Sequence, residues 1–269
     1  MRIVSLTCSN TEIVAALGRA GDLVGVDDHS DFPAAELEGL ERVGPDLSID
    51  VERVAALKPD LVLASLTVPG HEKVVERLEA AGLPFIAPAP ERVVDVERDI
   101  RDIARRLDEV ESGERVVVEF RRRLGLDRRR DAGIADRPAS AGARRPRVAV
   151  QWWPKPVIVP GRRSWVQDLL HLAGADNVLD DDVQSRPMED AELAARAPDA
   201  IVLSWCGVDH AKYRPEVVLD NPAFADTPAV RRGDVFTIRE AWLGRPSPRL
   251  ADGYDALRAF VTRWQAADG

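Results

Sequence analysis

VVDVERDIRDIARRLDEVESGERVVVEFRRRL, residues Val93–Leu124, is the stretch on which the reading of the fold turns. Val96, Ile100, Ile103, Leu107 and Val110 recur at steps of three and four, and Val117, Phe120 and Leu124 resume the same stripe. That period marks one apolar side of a helix. Gly113 interrupts it, at a cost of about 1 kcal/mol relative to alanine. Roughly thirty helical residues would extend about 45 Å, too long for a crossover inside one small lobe. The expectation is a single rigid spine joining two lobes.

On the N-terminal side, strands and helices alternate. Ile3–Leu6, Leu23–Val26, Leu61–Ala64 and Pro84–Ala87 read as strands, with helices after Ser9-Asn10-Thr11-Glu12 (a capping-box pattern), over Val51–Leu57 and over His71–Ala81. The rhythm returns beyond Arg147, with strands at Val148–Trp152, Ala200–Ser204 and Val235–Ile238. Helices are expected at Ser164–Ala173 and Glu189–Arg196, and a final one after Ser247-Pro248. An internal echo links the halves: Val54-Ala55-Ala56-Leu57-Lys58-Pro59-Asp60-Leu61-Val62-Leu63 resembles Leu193-Ala194-Ala195-Arg196-Ala197-Pro198-Asp199-Ala200-Ile201-Val202, each a helix, a Pro-Asp turn and a buried strand. The fold class expected is α/β: an N-terminal lobe over 1–90, a bridging helix over 91–126, a polar flexible insertion over 127–146 and a C-terminal lobe over 147–269.

The 269 residues and 45% hydrophobic content suffice for two modest cores. A net charge of −9 argues against a nucleic-acid partner, which needs a basic stripe. Cys8 and Cys206 are expected as free thiols, the protein as a monomer without a cofactor of its own. No run of about 18 apolar residues is present to span a membrane. Met1-Arg2 leads directly into a strand, so the expectation is a cytoplasmic protein, or an extracytoplasmic one whose export signal has been removed.

Enzyme signatures are missing: there is no GxGxxG after the first strand, no P-loop, GxSxG, HExxH or CxxC. Pro160-Gly161-Arg162-Arg163-Ser164 before a helix is a weak anion-binding pattern. Tryptophans carry more information. Trp152, Trp153, Trp205 and Trp242 fall at or beyond predicted strand ends, where open parallel sheets bind ligands, although a core role competes for any one of them. Flat aromatic walls suit a large planar ligand. His29 follows the second strand within Asp27-Asp28-His29-Ser30 and is a candidate metal ligand, with a plain surface loop as the competing reading. Arg186 and Arg245 are candidates to engage an anionic chelate. Cys8, His29 and Cys206 around a metal would make an enzyme of the same scaffold.

With these residues placed, the chain resembles the cobalamin-binding proteins of bacterial and archaeal corrinoid importers, within the wider family that also captures ferric siderophores and haem. The resemblance rests on Arg2-Ile3-Val4-Ser5-Leu6-Thr7-Cys8-Ser9-Asn10-Thr11-Glu12, with cysteine where that family usually has proline, and on Val24-Gly25-Val26 through Asp31-Phe32-Pro33. It continues through Leu57–Val62, Leu172-Ala173-Gly174-Ala175-Asp176-Asn177-Val178, Pro228-Ala229-Val230 with Gly233-Asp234-Val235, and Arg245-Pro246-Ser247-Pro248-Arg249. It implies a helix-bridged two-lobed binding protein, not an enzyme, holding a corrinoid between its lobes and delivering it to an ABC-type permease. The residues expected to contact ligand are Cys8, Ser9, His29, Asp46, Ser65, Trp152, Trp153, Arg186, Trp205, Trp242 and Arg245. The resemblance matches Trp152 to an aromatic wall and Trp242 to a tryptophan and puts His29 where a cleft tyrosine often sits, and His29 is the candidate axial to bound cobalt. Asp46 and Ser65 stand where the best-studied type has tryptophans. Glu72 matches one permease-docking glutamate; Ala191 falls at the second, which leaves Glu192 as its neighbour.

Overall fold

The computed structural model describes residues 1–126 and 144–268. The expected insertion over 127–146 therefore lies almost wholly outside the described residues. Two compact units are distinguished, one comprising residues 1–90 with 94–120 and the other 91–93 with everything from 121 onward.

The first unit is built on a five-stranded parallel sheet of β1 (Ile3–Ser5), β2 (Leu23–Val26), β3 (Glu41–Arg42), β4 (Leu61–Leu63) and β5 (Phe85–Ile86), in the order β3-β2-β1-β4-β5. Helices α1 (Cys8–Ala16), α2 (Ala34–Leu37), α3 (Val51–Ala56) and α4 (His71–Ala80) connect the strands. A parallel sheet covered on both faces needs continuous apolar strands, and β1 and β4 are buried at every position. Val4, Val62, Val54, Val74 and Leu78 form one side of its core. Gly25 is glycine because a Cβ there would lie 2.6 Å from Leu57 Cδ1. The capping box expected at Ser9–Glu12 is not formed. Helix α1 starts two residues earlier than that box requires, at Cys8, and its N-cap Thr7 makes no side-chain cap bond.

The Val93–Leu124 stretch corrects the single-spine expectation. It forms two helices, α5 (Val93–Arg106) and α6 (Val110–Arg123). Asp108 adopts a left-handed φ of 57°. The Glu109 N–H donates to Ala104 O (2.8 Å) and the Asp108 N–H to Arg105 O (3.3 Å), the paired bonds of a Schellman ending. Helix α6 then packs on α5: a Cβ on Gly113 would sit 2.5 Å from Ala104 Cβ, and Arg101 Nε reaches Glu114 Oε1 at 2.7 Å. Of the apolar stripe, Val96, Ile100, Ile103, Leu107, Val117, Phe120 and Leu124 are buried, whereas Val110, the first residue of α6, is 53% exposed. The stripe's period survives a turn because both helices bury the same side.

The second unit holds the parallel sheet β12-β11-β6-β9, from β6 (Arg147–Gln151), β9 (Asp176–Asn177), β11 (Ala200–Leu203) and β12 (Val235–Thr237). An antiparallel sheet that periodicity did not anticipate joins β7 (Trp153–Pro154), β8 (Val157–Pro160) and β10 (Ser185–Met188). Its helices are α7 (Trp165–Ala173), α8 (Asp190–Ala195), α9 (Glu216–Leu219), α10 (Pro228–Arg232), α11 (Glu240–Leu243) and α12 (Leu250–Asp268). Among the described residues no helix is long and apolar enough to cross a membrane.

The internal echo is reproduced bond for bond. Lys58 and Ala197 share a left-handed φ of 48° before their prolines. Asp60 N–H donates to Arg2 O and Asp199 N–H to Arg147 O, both at 2.8 Å. Each carboxylate then accepts the backbone N–H of the same partner, Arg2 to Asp60 (2.7 Å) and Arg147 to Asp199 (2.9 Å). Each turn thus ties the end of a helix to the first residues of the central strand.

Candidate functional site

In the first unit the expected residues gather where a parallel sheet places them, at the carboxyl ends of the strands. Cys8 and Ser9 follow β1, His29 follows β2, Asp46 follows β3 and Ser65 follows β4. The β2 loop is rigidly built. Asp27 is fully buried, and its Oδ1 accepts from Ser30 Oγ while its Oδ2 accepts the His29 N–H at 3.0 Å. Thr11 Oγ1 lies 2.8 Å from Ser30 Oγ and donates to Ser5 Oγ (2.9 Å), and Arg42 donates to Asp27 O and Ser30 O. Burial pushes the Asp27 carboxyl up, opposed by the Ser30 and His29 bonds. Cys8 Sγ lies 3.9 Å from Asp27 Oδ2, and Cys8 and Cys206 are not joined in a disulfide. This network holds the backbone of His29 while its imidazole remains 46% exposed.

Ser9 and Ser65 are buried. Ser9 Oγ lies 3.3 Å from Thr7 Oγ1, and Ser65 Oγ lies 2.9 Å from Thr67 Oγ1. Ser9 lies in the first turn of α1, and Ser65 Oγ also accepts the Thr67 N–H at 3.2 Å, so both hydroxyls serve local structure. Asp46 is half-buried and stands between two imidazoles, with His71 Nε2 3.5 Å from its Oδ2 and His29 Nε2 4.0 Å from its Oδ1. His71 was not among the expected site residues. It opens α4 and is 3% exposed, a burial that no local pattern announces.

Four exposed apolar side chains were also missed: Phe32, Leu47, Leu66 and Val68. All lie on the loops after β2, β3 and β4, the loops that carry His29, Asp46 and His71. Leu47 and Leu66 directly follow Asp46 and Ser65, so the apolar surface there comes from the neighbouring positions. Met1, Val94 and Val110 of this unit are exposed as well, but these four share the loops at the carboxyl ends of the strands, the end at which open parallel sheets bind ligands.

In the second unit, Trp152 directly follows β6, Trp205 follows β11, and Trp242 lies beyond β12, in the short helix α11. Trp152 is 9% exposed and its ring lies 5.5 Å from that of Trp165. Trp205 is buried against Tyr213, 5.2 Å between rings, in a cluster with Ile201, Leu203 and Phe224. Trp242 is half-buried, with the Arg239 guanidinium 5.9 Å from its ring centre. Trp153 is the most open of the four at 40%, and its Nε1 donates to Lys155 O. The indole nitrogens of Trp152, Trp205 and Trp242 are buried with no hydrogen-bond partner.

The two expected anion-binding arginines already hold carboxylates. Arg186 Nε reaches Asp181 Oδ2 at 2.7 Å and its Nη2 pairs with Glu192, while Arg245 Nε reaches Glu240 Oε2 at 2.8 Å. Arg163, in the weak anion pattern, bonds Glu91, and Ser164 serves instead as the N-cap of α7. Glu72 is exposed, its Oε2 accepting the Gly70 N–H at 2.8 Å, and backbone N–H groups hold its carboxyl below the usual range. Glu192 lies below that range through its bond to Arg186. Among the described residues, no group of three or more His, Cys, Asp or Glu is arranged to hold a metal ion by itself.

The family described as periplasmic binding protein matches residues 3–241. A vitamin B12-binding protein of Vibrio parahaemolyticus serotype O3:K6 is 26% identical over 253 residues, covering 92% of this chain and 84% of its own. Among solved structures, a periplasmic heme binding protein from Pseudomonas aeruginosa superposes with a TM-score of 0.80 at 30% identity, covering 97% of this chain and 92% of its own. The periplasmic vitamin B12 binding protein of Vibrio cholerae superposes with a TM-score of 0.76 at 25% identity, covering 97% and 96%.

Proposed function

The chain belongs to the periplasmic binding protein family, and on that premise we propose that it captures a metal-centred macrocycle, cobalamin or another corrinoid first, as the substrate-binding component of an ABC-type importer. The observation that carries this reading is the loop surface of the first unit. Phe32, Leu47, Leu66 and Val68 expose apolar area on the loops that hold one open imidazole, His29. Such a surface suits a large ligand with an apolar face, and a single nitrogen donor suits a ligand that brings its own metal. Relatives named vitamin B12-binding proteins support the corrinoid.

Within the second unit, Trp153 is the open aromatic group and Trp242 is half-buried. Arg186 and Arg245 act as structural ion pairs, because each would have to release a carboxylate before meeting an anionic chelate. Glu72 is the available glutamate for permease docking, since Glu192 is held by Arg186. The site of action is extracytoplasmic, as for the relatives.

Haem is the second reading, favoured by the heme binding protein at 30% identity. The test is to mix the protein separately with hydroxocobalamin and with hemin, desalt, and record visible spectra. Retained cobalamin bands support the corrinoid reading, and retained hemin alone transfers the proposal to haem. Loss of both colours on desalting overturns a metal-macrocycle function.

A further inference from the structure

Two of the chain's four histidines meet on one carboxylate, although 25 and 17 residues separate them from it. The buried member is the better defined. His71 Nδ1 accepts the Val68 N–H at 3.4 Å, which leaves its ring proton on Nε2. That Nε2 is buried with no hydrogen-bond partner, and the charged group it faces is Asp46 Oδ2 at 3.5 Å. A buried N–H left in that position is costly unless something aligns with it. The Asp46 carboxyl is held below the usual range, chiefly by His71 and further by His29 and the Leu47 N–H, against the opposing effect of burial. Asp46 thus faces His71 with one oxygen, on its buried side, and His29 with the other.

His29 is fixed differently. Its backbone is clamped by Asp27, but its ring makes no hydrogen bond, and the nearest charged group is Asp46 Oδ1, 4.0 Å from Nε2. At that distance the pair is electrostatic; contacts of this kind commonly tighten only when ligand arrives. The orientation already distinguishes the ring nitrogens. A proton on Nε2 faces the carboxylate, whereas a proton on Nδ1 would place the Nε2 lone pair toward the anion.

We propose that Asp46 and His71 are positioning residues that set the tautomer and orientation of His29, directing its Nε2–H to Asp46 and leaving Nδ1 as the nitrogen that meets the metal of the bound chelate. This rests on the macrocycle reading above and adds to it the nitrogen used and the two residues that select it. A histidine bound to a metal commonly donates its other ring N–H to a carboxylate, which fixes the ring and raises its basicity. Asp46 occupies that place for His29, and His71 prevents the carboxylate from turning away. The arrangement favours a ligand with an open or exchangeable axial position over its metal-free counterpart.

The test has a ligand-free and a ligand-bound part. Nitrogen-15 spectra of the imidazole rings, recorded in mildly alkaline buffer, should show His29 with its proton on Nε2 in the wild-type protein. Asp46→Asn and His71→Leu should move His29 toward a mixture of tautomers. His71→Gln, whose amide can present an N–H near the lost Nε2–H, should preserve the wild-type pattern. A His29 proton on Nδ1 in the wild type, or a tautomer unchanged in both Asp46→Asn and His71→Leu, overturns the proposal.

In the second part hydroxocobalamin is titrated and its visible bands followed. The wild type should shift them, and the two disrupting variants should weaken the shifted complex about 10–100-fold, the usual range for loss of an outer partner of a metal-bound histidine. His71→Gln should stay within about threefold of wild type on the same scale. Thermal melts separate folding failures from these effects, and Asp46→Asn, nearly isosteric and half-exposed, keeps the test valid if His71→Leu does not fold. Full affinity of the shifted complex in the folded variants overturns the positioning role alone. Cobalamin retained by wild type with unshifted bands overturns the coordination on which the proposal stands.

Discussion

Single residues in this protein divide by what they touch rather than by type. Trp205 and Trp153 are the clearest pair. Trp205 belongs to the packed interior of the second unit, and Trp205→Ala should cost about 3–5 kcal/mol of stability, the range for a large core aromatic, seen as a lower denaturation midpoint. Trp153 is 40% exposed; Trp153→Ala should leave that midpoint nearly unchanged and weaken ligand binding by about 1–3 kcal/mol. The opposite assignment in paired melting and binding experiments would exchange their roles. Asp99 offers a pH prediction. Burial, then the charges of Asp95 and Asp102 on the same helix, raise its carboxyl to about 7, only partly opposed by Arg98. The folded state therefore holds a proton that the unfolded chain releases near 4, so this group's effect on stability falls as pH rises from about 4 through 7. Asp99→Asn should raise the melting temperature at pH 8 and have little effect at pH 4; equal effects at both would show that the carboxyl titrates normally. Part of the candidate site's placement was legible, because strand ends can be counted from sequence and His29 and Ser65 follow two of the expected ones; Asp46 follows β3, a two-residue strand that no apolar run announces. What was not legible is which side chains turn inward. Nothing local to Ser9 or Trp205 distinguishes a buried group from a ligand-facing one, and the encounter of His71 with Asp46 depends on where α4 begins. The arginines could have been read better: Arg186 and Arg245 each have an acidic residue five positions earlier, Asp181 and Glu240, and those are their partners.

At the scale of elements, Gly113 decides between two accounts of Val93–Leu124. In one long helix, Gly113→Ala would stabilise by about 1 kcal/mol through helix propensity. In the observed pair, the new methyl would start 2.5 Å from Ala104 Cβ and force α5 and α6 apart. The expected result is a destabilisation of about 1–3 kcal/mol, as for overpacking elsewhere, measured by urea unfolding. A more stable Gly113→Ala protein would restore the continuous helix. The turn escaped the sequence reading because its left-handed position is Asp108, and the glycine that usually announces such an ending stands instead at the helix contact. The Pro-Asp turns were easier, since each repeats a helix end, a proline and a buried strand in both units. The antiparallel strands β7, β8 and β10 were missed for a plain reason: runs of two to four residues carrying Pro154, Pro160 and Pro187 do not read as strands.

At the scale of the molecule, the family is set by agreement among independent features: two parallel sheets, an echo between them, and a match spanning residues 3–241. Ligand identity rests on fewer groups, namely one open imidazole, its carboxylate and a set of exposed apolar side chains on the same loops. The account therefore stands or falls on binding itself. Isothermal titration of the purified protein with hydroxocobalamin measures it directly. The account predicts a saturable one-to-one isotherm with a Kd of about 1 µM or tighter, roughly −8 kcal/mol or more favourable. Heats no larger than dilution up to millimolar corrinoid would contradict it.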